Sequence, residues 1–327
     1  MTKKSRILYI DNLKALAIFS VIVQHVYWFT WNQCTDNVWC HLIDTYFMPL
    51  FFFISGAFAK DTMTFKHVVR KAKQLLLPFS VVGGIYTLMN GQWHDLFFGM
   101  SHNGYWFLPV LFVMFVLFYT KCALGRGLKI LNGKYKVFYD IVYITTLWVL
   151  LKVIVSKLNP EMSSVLYLDR THQHILSFFV GYLVFSNKVW VKKVLDKNMH
   201  AIYAVVLFLF VTLFSAIYYS DISIPDFSRH FLSLMALFIL FVVFRSVKVT
   251  NEKVQETLSY IGQHTLEIYV LQYFFLPLSY TPSESFSGGV NSLALCIVES
   301  IITLLFCIVT IKVLEINKYL RFFLLGK

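Results

Sequence analysis

ILYIDNLKALAIFSVIVQHVYWF, residues 7–29, is long and apolar enough to cross a bilayer as a helix, yet it carries Asp11, Asn12, Lys14 and His25. A charge at membrane depth costs on the order of 3 kcal/mol on insertion scales, so an ionisable residue inside a span marks a functional site by default. At about 100° per residue, Lys14 and His25 are roughly three turns apart, which sets them on one face about 16 Å apart along the axis. Asp11 stands i,i+3 from Lys14 on that face. The helix therefore has a polar stripe that must look into protein or a cavity, with the rest of the chain as the wall around it. Lys3, Lys4 and Arg6 ahead of the run would also suit a cleaved signal peptide. Against that, the polar residues from Asp11 to Lys14 interrupt the apolar region and no small-x-small cleavage site follows, so residues 7–29 read as an uncleaved first span.

The surrounding composition points the same way. The chain has 327 residues, of which 58% are hydrophobic and only 14% charged, with a mean hydropathy of +0.66. Apolar stretches of spanning length recur throughout, which predicts an all-α, polytopic membrane protein with a single transmembrane domain over residues 1–327. A net charge of +12 would suit a nucleic-acid partner, but the basic residues are scattered in short clusters between apolar segments, which is a topology signal.

Ten spans are predicted near 7–29, 41–59, 75–91, 104–124, 137–156, 173–187, 200–219, 229–247, 260–280 and 291–312. With the N-terminus inside, 24 of the 29 basic residues fall in cytoplasmic connections. The outer connections keep Lys157, Arg170 and Arg229. That bias predicts both termini in the cytoplasm.

The outer connections carry residue types suited to sugars: Trp31, Asn32, Asp36 and Trp39 in the first, and Trp93, His94, Asp95, His102 and Asn103 in the second. Single aromatic residues at a membrane edge are more often an interfacial belt. The third, near 157–172, is denser in ionisable groups, with Glu161, Asp169, Arg170 and His172, followed by His174. Cys34 and Cys40 share the first outer connection, where a disulfide and two free thiols both fit the spacing. No cysteine or histidine interval matches a common zinc pattern, so no metal site is expected. On the cytoplasmic side, Lys66, Arg70 and Lys73 in FKHVVRKAKQLLLPF form one basic stripe, on a helix predicted to end near Pro78. Positive-inside charge accounts for such a stripe; so does an anion site that grips phosphates.

These motifs together resemble a known family. DNLKALAIFSVIVQH in the first span, PLFFFISGAF at 49–58, the stripe before LLLPF, WFLPVLF at 106–112 and SYIGQHTLEIYVLQ at 259–272 are similar, over essentially the whole chain, to the acyltransferase-3 family of bacterial integral-membrane acyltransferases. The resemblance implies a multi-pass enzyme of the bacterial inner membrane. It would take an acyl group, usually acetyl, from cytoplasmic acyl-CoA as donor substrate and deliver it to a hydroxyl of an extracytoplasmic carbohydrate. The family's basic residue and histidine of span one correspond to Lys14 and His25. Its Arg-x-x-Arg motif falls on Arg70 and Lys73 or, in a shifted alignment, on Lys71 and Gln74. Gln272 stands where LEIYLxH-type members carry His.

The residues admit that chemistry on their own terms. Acyl transfer to an alcohol needs a general base, and imidazole titrates near working pH, which makes His25, near the outer end of span one, the candidate. Lys14, in the inner half, suits ion pairing with Asp11 or holding an anionic part of the donor. The candidate catalytic residues are thus His25, Lys14 and Asp11, and the candidate donor-binding residues Arg70 and Lys73. A lone membrane histidine also occurs as a packing residue, and Asp11 with Lys14 as a purely structural pair. His264 and Glu267, one turn apart, read as a structural pair as well. The alternative function for this architecture is a glycan exporter, but the internal repeat expected of a transporter is not evident.

Overall fold

The computed structural model describes residues 7–31, 37–99, 102–131, 133–219, 226–276, 290–317, 319–320 and 324, and for 188–199, 219, 226–227 and 290–292 only the course of the backbone. It is 86% helical, with no strand among the described residues. In chain order the helices are α1 (Leu8–His25), α2 (Val38–Asp44), α3 (Phe47–Ala57), α4 (Phe65–Pro78), α5 (Gly84–Met89), α6 (Trp93–Phe98), α7 (Phe107–Gly127), α8 (Lys136–Lys157), α9 (Pro160–Val165), α10 (Leu168–Ser186), α11 (Lys188–Tyr219), α12 (Asp226–Ser246), α13 (Glu252–Gln263), α14 (Thr265–Leu271) and α15 (Val290–Glu315). They form two compact units, Met1–Ile54 with Asn187–Ile311 and Ser55–Ser186 with Lys312–Lys327.

Eight helical segments among the described residues are long and apolar enough to cross a membrane, and each overlaps a predicted span. Two predicted spans are not among them. At 173–187 the helix is α10, whose opening turns hold Asp169, Arg170, His172 and His174 and dilute its apolar character. At 260–280 the chain is broken. α13 stops at Gln263, His264 leaves the helical region, and the seven-residue α14 runs into a single tight turn at Gln272–Phe274. Glu267 through Tyr273 are all buried, which is the condition under which a broken helix is tolerated at membrane depth.

In the first unit α1 is the centre. Of its polar residues Asp11, Asn12, Gln24 and His25 are buried together with most of its apolar residues, and Lys14 of the predicted stripe is half-buried. α13 packs against α1, with α12, α14 and α2 also in contact. The approach to α13 is close because residue 262 is glycine: a Cβ there would overlap the carbonyl of Asp11. Asn12 and Gln255 pair their amides across this seam, at 2.8 and 3.2 Å.

In the second unit the basic stripe lies on α4, which opens with a reciprocal cap between Thr64 and His67. The α-helical part ends at Pro78 as predicted, but the helical run does not. It widens to a π turn over Phe79–Gly83 and continues as α5, one run from Phe65 to Met89. A proline ring clashes with the carbonyl four residues back in a regular helix. The wider turn that follows Pro78 keeps the run continuous.

A candidate active site at the C-terminal end of the first helix

His25 is the last residue of α1, and the next six, Val26–Trp31, form a π turn that continues the helix. Such turns insert an extra residue per turn and occur disproportionately at functional sites. The imidazole is 5% exposed. Trp28, Phe29 and Tyr273 surround it, with ring centroids 5.8, 5.6 and 5.0 Å away. Trp28 and Phe29 are themselves exposed at 40% and 49%, so the histidine lies behind aromatic rings that reach the surface. Its Nε2 is 3.4 Å from the Tyr273 hydroxyl. Its Nδ1 is buried and makes no hydrogen bond. The imidazole thus lies in a largely apolar cage, with the Tyr273 hydroxyl as the one polar group near its Nε2.

The π turn is anchored beyond the histidine by Trp31, whose indole N–H donates to Glu299 of α15 at 2.8 Å. Glu299 is an isolated carboxylate in an apolar 26-residue helix, a signal present in the sequence but not singled out there. On the opposite side Gln24 donates to Asp44 at 2.9 Å and Ser20 meets the Tyr46 hydroxyl at 3.0 Å. Cys40 on α2 is buried and disulfide-bonded; Cys34 lies outside the described residues, and Cys122, Cys296 and Cys307 are free.

The predicted site residues divide between the units. Asp11, Lys14 and His25 all lie on α1, the first and last buried and Lys14 half-buried. Arg70 and Lys73 belong to the second unit, exposed on α4, while Lys71 between them turns over the ring of Phe115 at 4.6 Å. The shifted pairing of Lys71 with Gln74 would thus use a cation already committed to an aromatic face. His264 and Glu267 come within 3.5 Å beside Tyr260, as a structural pair at the α13–α14 break.

The second unit holds a cluster that was not legible in the sequence. Lys121 of α7 lies 2.7 Å from Asp61, 2.6 Å from Asp140 of α8 and 2.6 Å from the Tyr182 hydroxyl of α10. Lys136 reaches Asp140 at 2.8 Å, Tyr182 at 2.8 Å and Asp61 at 3.3 Å. Two ammonium groups thus meet two carboxylates around one hydroxyl, a balanced set that joins three helices to the α3–α4 connection. Burial acts to raise the Asp61 carboxyl, but hydrogen bonds from Lys121 and Tyr182 and the charges of Lys121 and Lys136 outweigh it and hold the group below its ordinary range.

Of the histidines between α5 and the start of α10, His94 is exposed while His102, His172 and His174 are engaged within this unit. His102 sits between the carbonyls of Leu96 and Ser164, at 3.0 and 3.1 Å. His172 stacks on Trp148, and His174 on Trp106, over which the Arg170 guanidinium also lies. This burial favours packing roles for these imidazoles.

No curated protein and no solved structure matches the chain. A family model does, described as an acyltransferase domain, and it matches residues 7–312, nearly the whole length. That span takes in α1 with its buried stripe, the basic stripe of α4 and the broken segment at His264; the chain belongs to the acyltransferase-3 family, as a helical multi-pass membrane acyltransferase.

Proposed function

We propose that this protein is an O-acyltransferase of the bacterial inner membrane. It moves an acyl group, most simply acetyl, from cytoplasmic acyl-CoA to a hydroxyl of an extracytoplasmic carbohydrate, such as a surface polysaccharide or a lipid-linked glycan. His25 is the general base. Its imidazole takes the proton of the acceptor hydroxyl as the oxygen attacks the thioester carbonyl. The C–S bond then breaks, and the departing CoA sulfur recovers that proton from the imidazolium. Lys14, half-buried on the same helix, holds an anionic part of the donor, and Asp11 balances its charge. Arg70 and Lys73 bind the donor's phosphates, where two exposed cations on one helix face suit a polyanion.

The observation that carries the reading is the His25 environment: a buried imidazole at a π turn, with Nε2 3.4 Å from the Tyr273 hydroxyl and Nδ1 in no hydrogen bond of ordinary geometry. The test is His25→Gln, which keeps size and hydrogen bonding but cannot accept a proton at working pH. Transfer of labelled acetyl from acetyl-CoA to the cell's surface glycan falls by about 100- to 10,000-fold, with protein abundance unchanged. Near wild-type transfer by the Gln variant would make His25 a packing residue and bring the exporter reading forward.

A further inference from the structure

A base is only as good as the tautomer it is held in. Neutral imidazole has one N–H and one lone pair, and the partner of the first decides which nitrogen offers the second. Tyr273 does not decide it for His25, because a hydroxyl either donates to Nε2 or accepts from it, and at 3.4 Å it does neither strongly.

The residue before Tyr273 does have a fixed polarity. Gln272 is fully buried at the end of α14. Its backbone N–H is bonded to Ile268, and its carbonyl receives the N–H groups of Phe275 and Leu276 at 2.9 and 3.0 Å, so its position is set. Its side-chain Nε2 donates to the Tyr269 carbonyl at 3.1 Å. That bond orients the amide, since the reverse assignment would place two oxygens against each other. Oε1, an acceptor only, is buried without a hydrogen bond of ordinary geometry, and so is Nδ1 of His25, although the Gln272 side chain is close enough to the imidazole to act on it. A buried donor and a buried acceptor on neighbouring side chains, neither in a hydrogen bond of ordinary geometry, are each costly until they join. Catalytic hydrogen bonds are often loose before substrate arrives.

We propose that Gln272 is the positioning residue of this site: its Oε1 accepts the Nδ1–H of His25 and thereby keeps the Nε2 lone pair turned toward the Tyr273 hydroxyl, where the acceptor hydroxyl is activated. This rests on His25 acting as the base. Gln272 touches no reacting atom. It fixes the tautomer and ring angle and stabilises the imidazolium as it forms. Apart from the half-buried His230 of α12 and the buried Tyr27 of the π turn, the other charged groups on the surrounding elements are engaged elsewhere or exposed. Asp44 of α2 takes the Gln24 amide, and His41 lies against Tyr218. Arg245 of α12 acts on Tyr9. On α13 and α14, Glu252, Lys253 and Glu256 are exposed and Glu267 lies against His264. Glu299 of α15 holds Trp31.

The experiment measures acetyl transfer by the full chain in membrane vesicles across pH for three variants. Gln272→Leu removes the acceptor at similar size. Its kcat falls roughly 10- to 100-fold, the worth of one hydrogen bond to an ionised group, while the KM for acetyl-CoA stays put. Gln272→Glu supplies a carboxylate at the same place. It favours the imidazolium, so the acidic limb of the kcat/KM profile moves to higher pH by about one unit or more. A structural role for Gln272 would not move that limb. Wild-type kcat in Gln272→Leu, or an unmoved limb in Gln272→Glu, overturns the proposal; should the Leu variant fail to accumulate, the Glu profile decides alone. His25→Gln separates the two claims: if it is inactive while Gln272→Leu is unimpaired, only the positioning role falls, and if it is active the base reading falls first.

Discussion

Lys121→Met tests whether the ion network of the second unit is as closed as its distances imply. Lys121 is fully buried, and its ammonium makes three contacts, to Asp61, Asp140 and Tyr182, all at 2.6–2.7 Å. Methionine is close in length and keeps the packing, so the volume change alone costs less than about 1.5 kcal/mol. The charge is another matter. Without Lys121, two carboxylates share the single ammonium of Lys136, and a balanced cluster acquires a net negative charge around Asp140, which has no exposure at all. Removing one partner of a buried pair costs roughly 3–5 kcal/mol, because the other is left uncompensated. The assay is the thermal unfolding midpoint in detergent, read beside membrane abundance. The midpoint should drop by several degrees, and Lys121→Met combined with Asp140→Leu should recover most of the loss, since that pair removes one charge of each sign. An unchanged midpoint in the single variant, or strictly additive losses in the double, would refute the idea of a mutually dependent cluster.

Two other perturbations probe the same unit. Asp61 is held below its ordinary range, so its contribution to stability is complete above the unfolded value near pH 4 and is lost as pH falls through the lower folded value; the midpoint of the wild type should therefore decline with acid below about pH 4, more steeply than that of Asp61→Asn, and parallel curves would count against the assignment. Changing both Arg70 and Lys73 to Gln should raise the KM for acyl-CoA by several-fold while leaving use of the carbohydrate unaltered, and loss of acceptor use alone would reduce the stripe to topology charge.

Much of this architecture is written locally in the sequence. The cost of charge in a bilayer acts residue by residue, which is why α1, its buried face and seven further spans could be read from composition and spacing. The failures share a cause. LEIYVLQYFF has the same apolar pattern in an unbroken helix and in a short, broken piece, and its break after α14, with α14 packed against α1, is not visible in that pattern. Pro78 is a helix stop by local rule, and a wider turn after it overrules that. Lys121 and Lys136 looked like topology charge because their carboxylate Asp61 lies sixty or more positions away. Gln272 was visible as a departure from the family pattern, but its place beside His25 depends on how the chain turns after α14.

The rule that flagged the first helix, that an ionisable residue at membrane depth marks function, applies as strongly to Lys121 as to His25, yet the two lead to different conclusions. The difference lies in what each group still lacks. Around Lys121 the charges are matched: two cations, two carboxylates and a hydroxyl meet at 2.6–3.3 Å, with Asp140 Oδ1 held by the Lys121 charge alone. A set so balanced has nothing to offer a substrate and much to lose from any change, which is the behaviour of a clamp. Around His25 the balance is incomplete, with one nitrogen bare, a long approach to a hydroxyl and an amide oxygen beside it that is also unmet. Incomplete satisfaction inside a protein is costly, and it persists where a ligand or a moving proton will complete it. The cost of burying a charge therefore finds both sites, and the presence or absence of an opposite charge beside the group separates the clamp from the one that can do chemistry.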